Sequence, residues 1–517
     1  MGYYPWFPLQ KQVEAWQSLV HVCRRWRNLV LGSPRRLNLR LFCTPQTLAL
    51  DIWPALPLII VGGGDDMAVS SGTDNIIAAL GQSNRVCEVL LKDLVVGQME
   101  KVLGLMQVPF PELTVMRLSS ADDCCVIPDS FPGGSAPRLQ IFDLDGNAFP
   151  GLPNLLLSAP HLVHLGLFNI PHSGYFSPET MVTLISALSS LDSIHLGFKS
   201  SQSHPNWESR SLHPQKRCIL PALNEFIFKG VTEYLEDLAT RIDTPLLGRM
   251  GINFFNQIDF DCPRLAQFIN RTPMLEALDE AYVRFDDITV SVKLRSRTST
   301  FGPDSPSPSL IPFNNFNSHI PPTSRSIIGP DTRRAHMSGL DIHQTSITGP
   351  NNRQTSGPNN LLISISCRES DWQLSSIGQV CNSSESMHRL STVQDLYINH
   401  KHSQLVWKDD AIENSQWSEL LLPFTAVKNL YLAKKFAPGV AAALQELVGG
   451  RMTEVLPNLQ NIFVEDLKPW GPFQENIGQF PMVRRHSGHP IAISIWHSSR
   501  PLYTPLTYTV PFPVPSP

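Results

Sequence analysis

A six-residue pattern recurs along the 517-residue chain, with apolar residues at its first, fourth and sixth positions and variable residues between them. Successive side chains of a strand point to opposite faces, so positions four and six would enter a core while position five faces away from it. The pattern therefore predicts short strands with one buried face. The copies are Leu113–Leu118, Leu139–Leu144, Leu162–Leu167, Leu191–Leu196, Leu223–Phe228, Val393–Ile398, Val427–Leu432 and Leu459–Val464.

Helical stretches are predicted between these strands. One starts at Ser177, Pro178 and Glu179, which supply an N-cap, a first-turn proline and an acidic residue. Another starts at Pro438 and stops at Gly449. The first five copies begin 23 to 32 residues apart, in or slightly above the range of about 20 to 29 that leucine-rich repeats use. We expect an α/β fold, an irregular leucine-rich-repeat solenoid of strand–helix units; buried strands of an unrelated α/β domain are the alternative.

Two segments depart from the pattern. Residues 295–360 are rich in Ser, Pro, Asn, Thr and Gly, a composition that predicts a disordered segment. They lie between the β-prone runs Ile288–Leu294 and Leu361–Ser366, which favours an insertion into the array. The proline-rich tail, 497–517, is expected to be extended. The solenoid is thus predicted over 46–294 and 361–496.

The N-terminal region has apolar residues three and four apart from residue 16 to residue 30, which predicts one face of a helix that ends before Gly32. That face needs a partner. Arginines 24, 25, 27, 35 and 36 form a small basic cluster on the other side. With a net charge of −4, a solvated surface is favoured over a nucleic-acid site.

The string Val22–Arg27, within Leu19–Leu37, resembles the C-terminal half of the F-box of fungal F-box proteins. The resemblance continues into the repeats, at Asp143–Gly146, Phe254–Phe260 and Glu369–Trp372. It covers nearly the whole chain except 295–360 and the tail, and it makes 1–45 a partial F-box-like helical region.

The resemblance implies a substrate-recognition adaptor of an SCF-type (Skp-cullin-F-box) ubiquitin ligase. The F-box helix would bind a Skp-type linker of the cullin ligase core, and the repeats would present an unknown target protein. Residues 1–15 do not show the Leu-Pro-x-Glu opening or the first helix of an F-box. A leucine-rich-repeat interaction scaffold without ubiquitin-ligase linkage is therefore the alternative. The residues expected to bind the linker are Trp16, Leu19, Val20, Val22, Cys23 and Trp26.

No catalytic chemistry is indicated. The sequence contains no nucleophile elbow, zinc-protease motif or phosphate-binding glycine loop, and its histidines lack metal-ligand spacing. We expect no enzyme activity, no cofactor and no metal site. The nine scattered cysteines favour free thiols in the cytoplasm or nucleus, the charge disfavours nucleic acid, and no apolar run is long enough for a membrane span.

Position five of each copy predicts the binding surface. These residues should face away from the core, and exposed aromatics on neighbouring strands are typical of a partner site. The column contains Arg117, Asp143, Gly166, His195, Ile227, Tyr397, Tyr431 and Phe463. The expected substrate-binding residues are Tyr397, Tyr431, Phe463, His195 and Ile227. The alternative is that Ile491–Trp496 folds back to cap the aromatic residues.

Overall fold

A computed structural model gives the conformation of most of the chain. It describes residues 19–32, 37–42, 55–63, 74–121, 126–202, 217–257, 260, 262–275, 278–296, 359–367, 369–382, 389–400, 413–448, 451, 453–467 and 471–496. Statements about structure below refer to these residues.

The strands of the described chain are β1 (Leu39–Phe42), β2 (Leu58–Gly63), β3 (Val86–Leu94), β4 (Val115–Ser120), β5 (Ile141–Asp145), β6 (His164–Ile170), β7 (Ser193–Phe198), β8 (Cys218–Ile219), β9 (Glu225–Gly230), β10 (Ile242–Asp243), β11 (Arg249–Phe254), β12 (Glu280–Phe285), β13 (Thr289–Arg295), β14 (Asn360–Ser366), β15 (Asp395–His400), β16 (Asn429–Leu432), β17 (Asn461–Glu465) and β18 (Ala492–Trp496).

The α-helices are α1 (Arg24–Leu31), α2 (Asp74–Leu80), α3 (Val96–Leu105), α4 (Leu152–Ser158), α5 (Pro178–Ile185), α6 (Thr232–Arg241), α7 (Pro263–Asn270), α8 (Ser370–Asn382), α9 (Asn414–Leu421), α10 (Ala437–Glu446), α11 (Pro472–Ile477) and α12 (Phe480–His486). Short 3-10 turns lie at His172–Gly174, Pro273–Leu275 and Leu390–Thr392. None of these helices is long and apolar enough to cross a membrane.

One mostly parallel sheet of sixteen strands organises the chain, in the order β1-β2-β3-β4-β5-β6-β7-β9-β11-β14-β13-β12-β15-β16-β17-β18, while β8 and β10 form a separate parallel pair. All eight copies of the repeated pattern overlap with a strand of this sheet. This strand-and-helix architecture is compatible with the predicted repeat solenoid.

The order of the strands departs from the chain order around β13. This strand pairs antiparallel with β12 on one side and with β14 on the other. In turn β14 pairs in parallel with β11, and β12 pairs in parallel with β15. The segments before and after the predicted insertion therefore belong to one continuous sheet. Of the predicted insertion, 295–360, only the ends are described, in and beside β13 and β14, and the tail 497–517 lies outside the described residues.

A single apolar core runs along one face of the sheet. It contains positions four and six of the repeated pattern, for example Leu165 and Leu167 on β6, together with the inward residues of the helices. On α5 these are Met181, Leu184 and Ile185. The Ser177 hydroxyl accepts a hydrogen bond from the Thr180 amide at 3.2 Å, which confirms the predicted N-cap.

The N-terminal helix is not continuous, contrary to the prediction. Leu19 and Val20 are helical, a turn follows, and Cys23 is extended, with φ −161° and ψ 169°, before α1 begins at Arg24. Regular spacing of apolar residues cannot reveal such a break, because a turn of suitable length keeps the spacing.

Candidate binding face of the sheet

The face of the sheet opposite the apolar core, called here the open face, carries the predicted column of residues as one continuous row. Each residue is the registered partner of the next, and all eight predicted residues lie in it. From β2 to β18 the row contains Val61, Leu90, Arg117, Asp143, Gly166, His195, Ile227, Gly251, Leu362, Lys293, Tyr282, Tyr397, Tyr431, Phe463 and Ser494. None of its members belongs to the apolar core cluster.

Four aromatic rings of this row form a stacked ladder. Tyr282 and Tyr397 have ring centroids 4.5 Å apart, Tyr397 and Tyr431 are 4.2 Å apart, and Tyr431 and Phe463 are 4.6 Å apart. The interplanar angles are 10° or less. Because neighbouring parallel strands are about 4.8 Å apart, aligned rings are held in contact by the sheet itself.

The ladder is less exposed than the sequence suggested. Tyr397 retains 6% and Phe463 retains 8% of its accessible surface, so the prediction that both are exposed was wrong. Part of the cause is Trp496 on β18, whose indole packs edge-on against Tyr397 at 6.3 Å and Tyr431 at 5.8 Å. The capping alternative expected Ile491–Trp496 to fold back over the aromatic residues; Ala492–Trp496 instead extends the sheet as β18, and Trp496 at its end packs against two of the rings. Tyr431 stays half-exposed.

The Tyr282 end of the ladder is held by ionic groups. Its hydroxyl donates to Glu280 at 3.1 Å, and the Arg295 guanidinium bonds to Glu280 at 2.5 Å and lies 4.7 Å from the Tyr282 ring centroid. Burial raises the pKa of both Tyr282 and Tyr397 well above the ordinary value. Both phenols therefore remain neutral hydrogen-bonding groups over the physiological pH range.

Tyr282 was not among the predicted residues, although its segment follows the repeated pattern. Leu278 and Val283 occupy the first and sixth positions, but the small residue Ala281 occupies the fourth. A pattern that accepts alanine at its fourth position would have predicted Tyr282 as part of the row. The segment that forms β11 was also missed, although Leu247, Met250 and Ile252 match the pattern in full.

The part of the row on β4 and β5 contains charged residues. Asp143 is buried, and its carboxylate contacts Arg117 Nε at 3.0 Å and His164 Nε2 at 2.8 Å. The carboxylate is thereby fixed on the open face by side chains from both neighbouring strands. A charge that is buried beside two basic groups is strongly oriented.

A second ionic cluster surrounds Glu225 on β9. Its carboxylate lies 3.6 Å from His195 Nε2 and 3.2 Å from Arg249, and it accepts a hydrogen bond from the Ser193 hydroxyl at 3.2 Å. Burial opposes ionisation of Glu225, yet the contacts with His195 and Arg249 keep its pKa below the usual value. His195 is itself buried, so its predicted exposure was wrong.

These ionic clusters orient charged groups without assembling a metal site in the described chain. No group of three His, Cys, Asp or Glu side chains there could hold a metal ion. The rings of His164 and His195 meet edge to face at 5.1 Å, and each has an acidic partner of its own. The described surface can therefore offer fixed charges and hydrogen-bonding groups to another molecule.

A lysine lies beside the ionic clusters, on β9. Lys229 is half-buried, with its amine 5.6 Å from the ring centroid of Phe255. Burial lowers the pKa of Lys229 to about 8, although the nearby charge of Asp145 acts in the opposite direction. The half-buried Ile227 lies two residues before it, in the central row.

The residues expected to bind a linker are divided by the break before α1. Trp16 lies outside the described residues, Leu19 is half-buried and Val20 is buried. Cys23 is exposed. An apolar stripe on the exposed side consists of Val22, Trp26 and Leu29, with 65%, 46% and 66% of their surface accessible. Leu29 was missed, although it lies three residues after Trp26 and so shares its face.

Comparisons with known proteins give little beyond this description. No family model matches the chain, and no curated protein matches it. Among solved structures, the crystal structure of the leucine-rich repeat-containing protein LegL7 from Legionella pneumophila is similar at 11% sequence identity, over 86% of this chain and 97% of that chain, with a TM-score of 0.26. A TM-score this low carries no argument, so the architecture rests on the strand order and register of this chain.

Proposed function

We propose that this protein is a non-catalytic interaction scaffold that binds another protein through the open face of its sheet. The observation that carries the proposal is the single registered row that crosses fifteen strands on the face opposite the core, with ionic clusters in one part and an aromatic ladder in the other.

The side chains of the open face suit a protein partner. Tyr and Arg are enriched at protein interfaces, since they combine a large contact area with directional hydrogen bonding. Tyr431 is half-exposed in the ladder, and Arg249 remains partly exposed while paired with Glu225. Side chains that are already held in place lose little conformational entropy when a partner binds.

The finer form of the proposal is a substrate adaptor of an SCF-type ubiquitin ligase, present in the cytoplasm or nucleus. The stripe of Val22, Trp26 and Leu29 is the feature of the described N-terminal region that favours it, because an exposed apolar surface formed by one side of α1 and the turn before it fits a helical partner. In this form the stripe binds a Skp-type linker and the open face holds the target. A scaffold without ligase linkage remains the second candidate, favoured by the broken helix before Arg24.

Site-specific photo-crosslinking in the native cell tests the scaffold proposal. A photoreactive amino acid replaces either Tyr431 or Ile227 on the open face, or Leu157 or Leu422, which are exposed on the helical side. We expect the two open-face positions to capture a shared protein that the two helical-side positions do not capture. Capture of the same protein only from Leu157 or Leu422, or of no protein from the open face, would contradict the proposal.

The adaptor form needs a separate measurement with purified components. Calorimetry would titrate a Skp-type linker with the full chain, and we expect Trp26→Ala and Leu29→Ala each to weaken binding about tenfold, since a buried aromatic or aliphatic anchor contributes roughly 1 to 2 kcal/mol or more. Arg25→Ala is the matched control, because Arg25 is exposed on the same helix. Absence of binding by the folded chain would reject the adaptor and leave the scaffold.

A further inference from the structure

Two basic side chains stand out on the open face at the point where strand order departs from chain order. Lys293 is in the central row on β13, between Leu362 and Tyr282. Arg284 is on β12, between Ser291 and Asn399. Both alternate with core residues, since Val283, Val292 and Leu294 belong to the apolar cluster. The two cations are therefore diagonal neighbours on one face, a separation that long side chains span.

Their ionic surroundings differ from those of the other cations nearby. Arg295 is paired with Glu280, and Arg249 with Glu225. In the part of the chain that the structure describes, no carboxylate lies within 4 Å of Lys293 or of Arg284. The charge of Asp286 reaches Arg284 without forming an ion pair. The buried Nε of Arg284 also lacks a hydrogen-bond partner among the described groups.

This arrangement costs free energy in the unbound protein. Burial, together with the positive charges of Arg295 and Arg284, lowers the pKa of Lys293. Two like charges that are half-buried on adjacent strands repel each other and have lost part of their hydration. A negative group placed between them would regain that energy and would also satisfy the Arg284 Nε.

The neighbouring residues indicate what carries the negative group. Lys293 lies directly beside Tyr282, the first ring of the aromatic ladder, and Arg284 lies beside Ser291, a half-exposed hydroxyl. An acidic residue at the two cations would thus place its neighbours along the ladder. Apolar contacts there and an ion pair at the cations can be made together by one short extended peptide.

We propose that Lys293 and Arg284 bind a side-chain carboxylate in an acidic segment of the protein partner, with apolar residues of that segment against Tyr282 and Tyr431, the two half-exposed rings of the aromatic ladder. The inference rests on the proposed scaffold function and specifies the chemistry of its partner. The ion pairs would form on binding, since no carboxylate of the described residues pairs with either cation in the free protein.

A peptide of alternating Glu and Leu residues with a fluorescent label is a suitable probe, and its Gln-Leu counterpart serves as the uncharged control. Fluorescence anisotropy with the full chain measures binding. We expect the Glu-Leu peptide to bind at least about tenfold more tightly than the Gln-Leu peptide, and this preference to be lost in Lys293→Met and in Arg284→Met. Lys293→Arg should retain most of it. Lys434→Met is the matched control, since Lys434 is exposed and distant in sequence.

Thermal unfolding supplies a second readout that shows the variants are folded. Lys293→Met should unfold at the same temperature as the unchanged protein or at a higher one, because it removes an uncompensated half-buried charge. The Glu-Leu peptide should raise the unfolding temperature of the unchanged protein and not that of Lys293→Met.

Three outcomes would overturn the inference. One is equal binding of the Glu-Leu peptide to the unchanged protein and to both methionine variants. Another is equal binding of the Glu-Leu and Gln-Leu peptides. The third is stabilisation by inorganic phosphate without any binding of the peptide. In each case photo-crosslinking from Tyr431 and Ile227 would still report on the scaffold function separately, since neither position is one of the two cations.

Discussion

Tyr282 and Tyr397 stack face to face, with ring centroids 4.5 Å apart and planes 4° apart, although β12 and β15 are separated along the chain by β13, which runs antiparallel to its neighbours, and by β14. Their register places Tyr282 opposite Tyr397. The departure of β13 and β14 from chain order therefore does not interrupt the ladder, because β12 still pairs directly with β15. The ladder links the irregular centre of the sheet to the regular strands that follow it.

The interior position of Tyr397 in the ladder predicts a large contribution to stability. Tyr397 is stacked on both sides and retains 6% of its accessible surface. Tyr397→Ala should lower the free energy of unfolding by about 3 kcal/mol, since it removes two ring contacts and leaves a cavity. Urea denaturation measures the loss.

Trp372→Ala is the control for that measurement. Trp372 lies on α8 and is exposed, so its replacement should change the free energy of unfolding by less than about 0.5 kcal/mol. A similar small effect for Tyr397→Ala would show that the ladder contributes little to folding.

The ladder also predicts loss of stability in alkaline solution. Burial raises the pKa of Tyr282 and Tyr397 in the folded state, whereas tyrosine in an unfolded chain ionises near pH 10. Above that pH the unfolded state binds fewer protons than the folded state, so the free energy of unfolding falls as pH rises, and the contribution is complete below it. The double variant Tyr282→Phe/Tyr397→Phe should show a shallower fall.

Absorbance at the phenolate band checks the same prediction directly. Both tyrosines should remain protonated in the folded protein when free tyrosine is ionised. Unfolding at high pH should increase the phenolate absorbance less in the double phenylalanine variant than in the unchanged protein. An equal increase in the two proteins, or an equal slope of the free energy of unfolding against pH, would contradict the raised pKa values.

Much of the sheet could be predicted because the repeated pattern records strand geometry directly. Apolar residues at positions four and six must enter the core, and the residue between them must then face the other way. That reasoning located eight strands and placed residues as distant as Arg117 and Phe463 in one row. It depends only on local alternation, which every strand in the array preserves.

Features that depend on strand order and burial could not be predicted in this way. Alternation is the same whether a strand runs parallel or antiparallel, so β13 carries no sign of its reversed direction. The burial of Tyr397 depends on ring contacts from Tyr282 and Trp496, which lie in segments distant along the chain. His195 is buried for a similar reason, since its neighbours His164, Phe168 and Glu225 come from the two adjacent strands β6 and β9.

The buried carboxylate of Asp143 predicts a second stability effect. Asp143→Ala leaves Arg117 and His164 without their shared acceptor and should lower the free energy of unfolding by about 2 kcal/mol. Urea denaturation compares it with Glu454→Ala, which removes the exposed ion pair with Arg451 and should cost less than about 1 kcal/mol. Equal losses in the two variants would contradict a structural role for the Asp143 cluster.

The register of β13 and β14 predicts that the chain between them can be shortened without loss of the fold. Arg295 is paired with Asn360, so the two strand ends already lie side by side and a tight turn can join them. We would remove 297–358 and connect Ser296 to Asn359 through a short turn containing Asn-Gly. Asn359 is retained because its side-chain amide donates to the Met274 carbonyl at 2.8 Å.

The expected result is an unfolding temperature that is unchanged or slightly raised. The removed residues have a composition that buries little apolar surface, and closing a shorter loop costs up to about 2 kcal/mol less chain entropy. Calorimetry compares the shortened chain with a full-length chain in which 297–358 is scrambled. A fall of more than about 4 °C in both variants would show that this segment packs specifically on the sheet, whereas a fall in the shortened chain alone would show that the new turn strains β13 and β14.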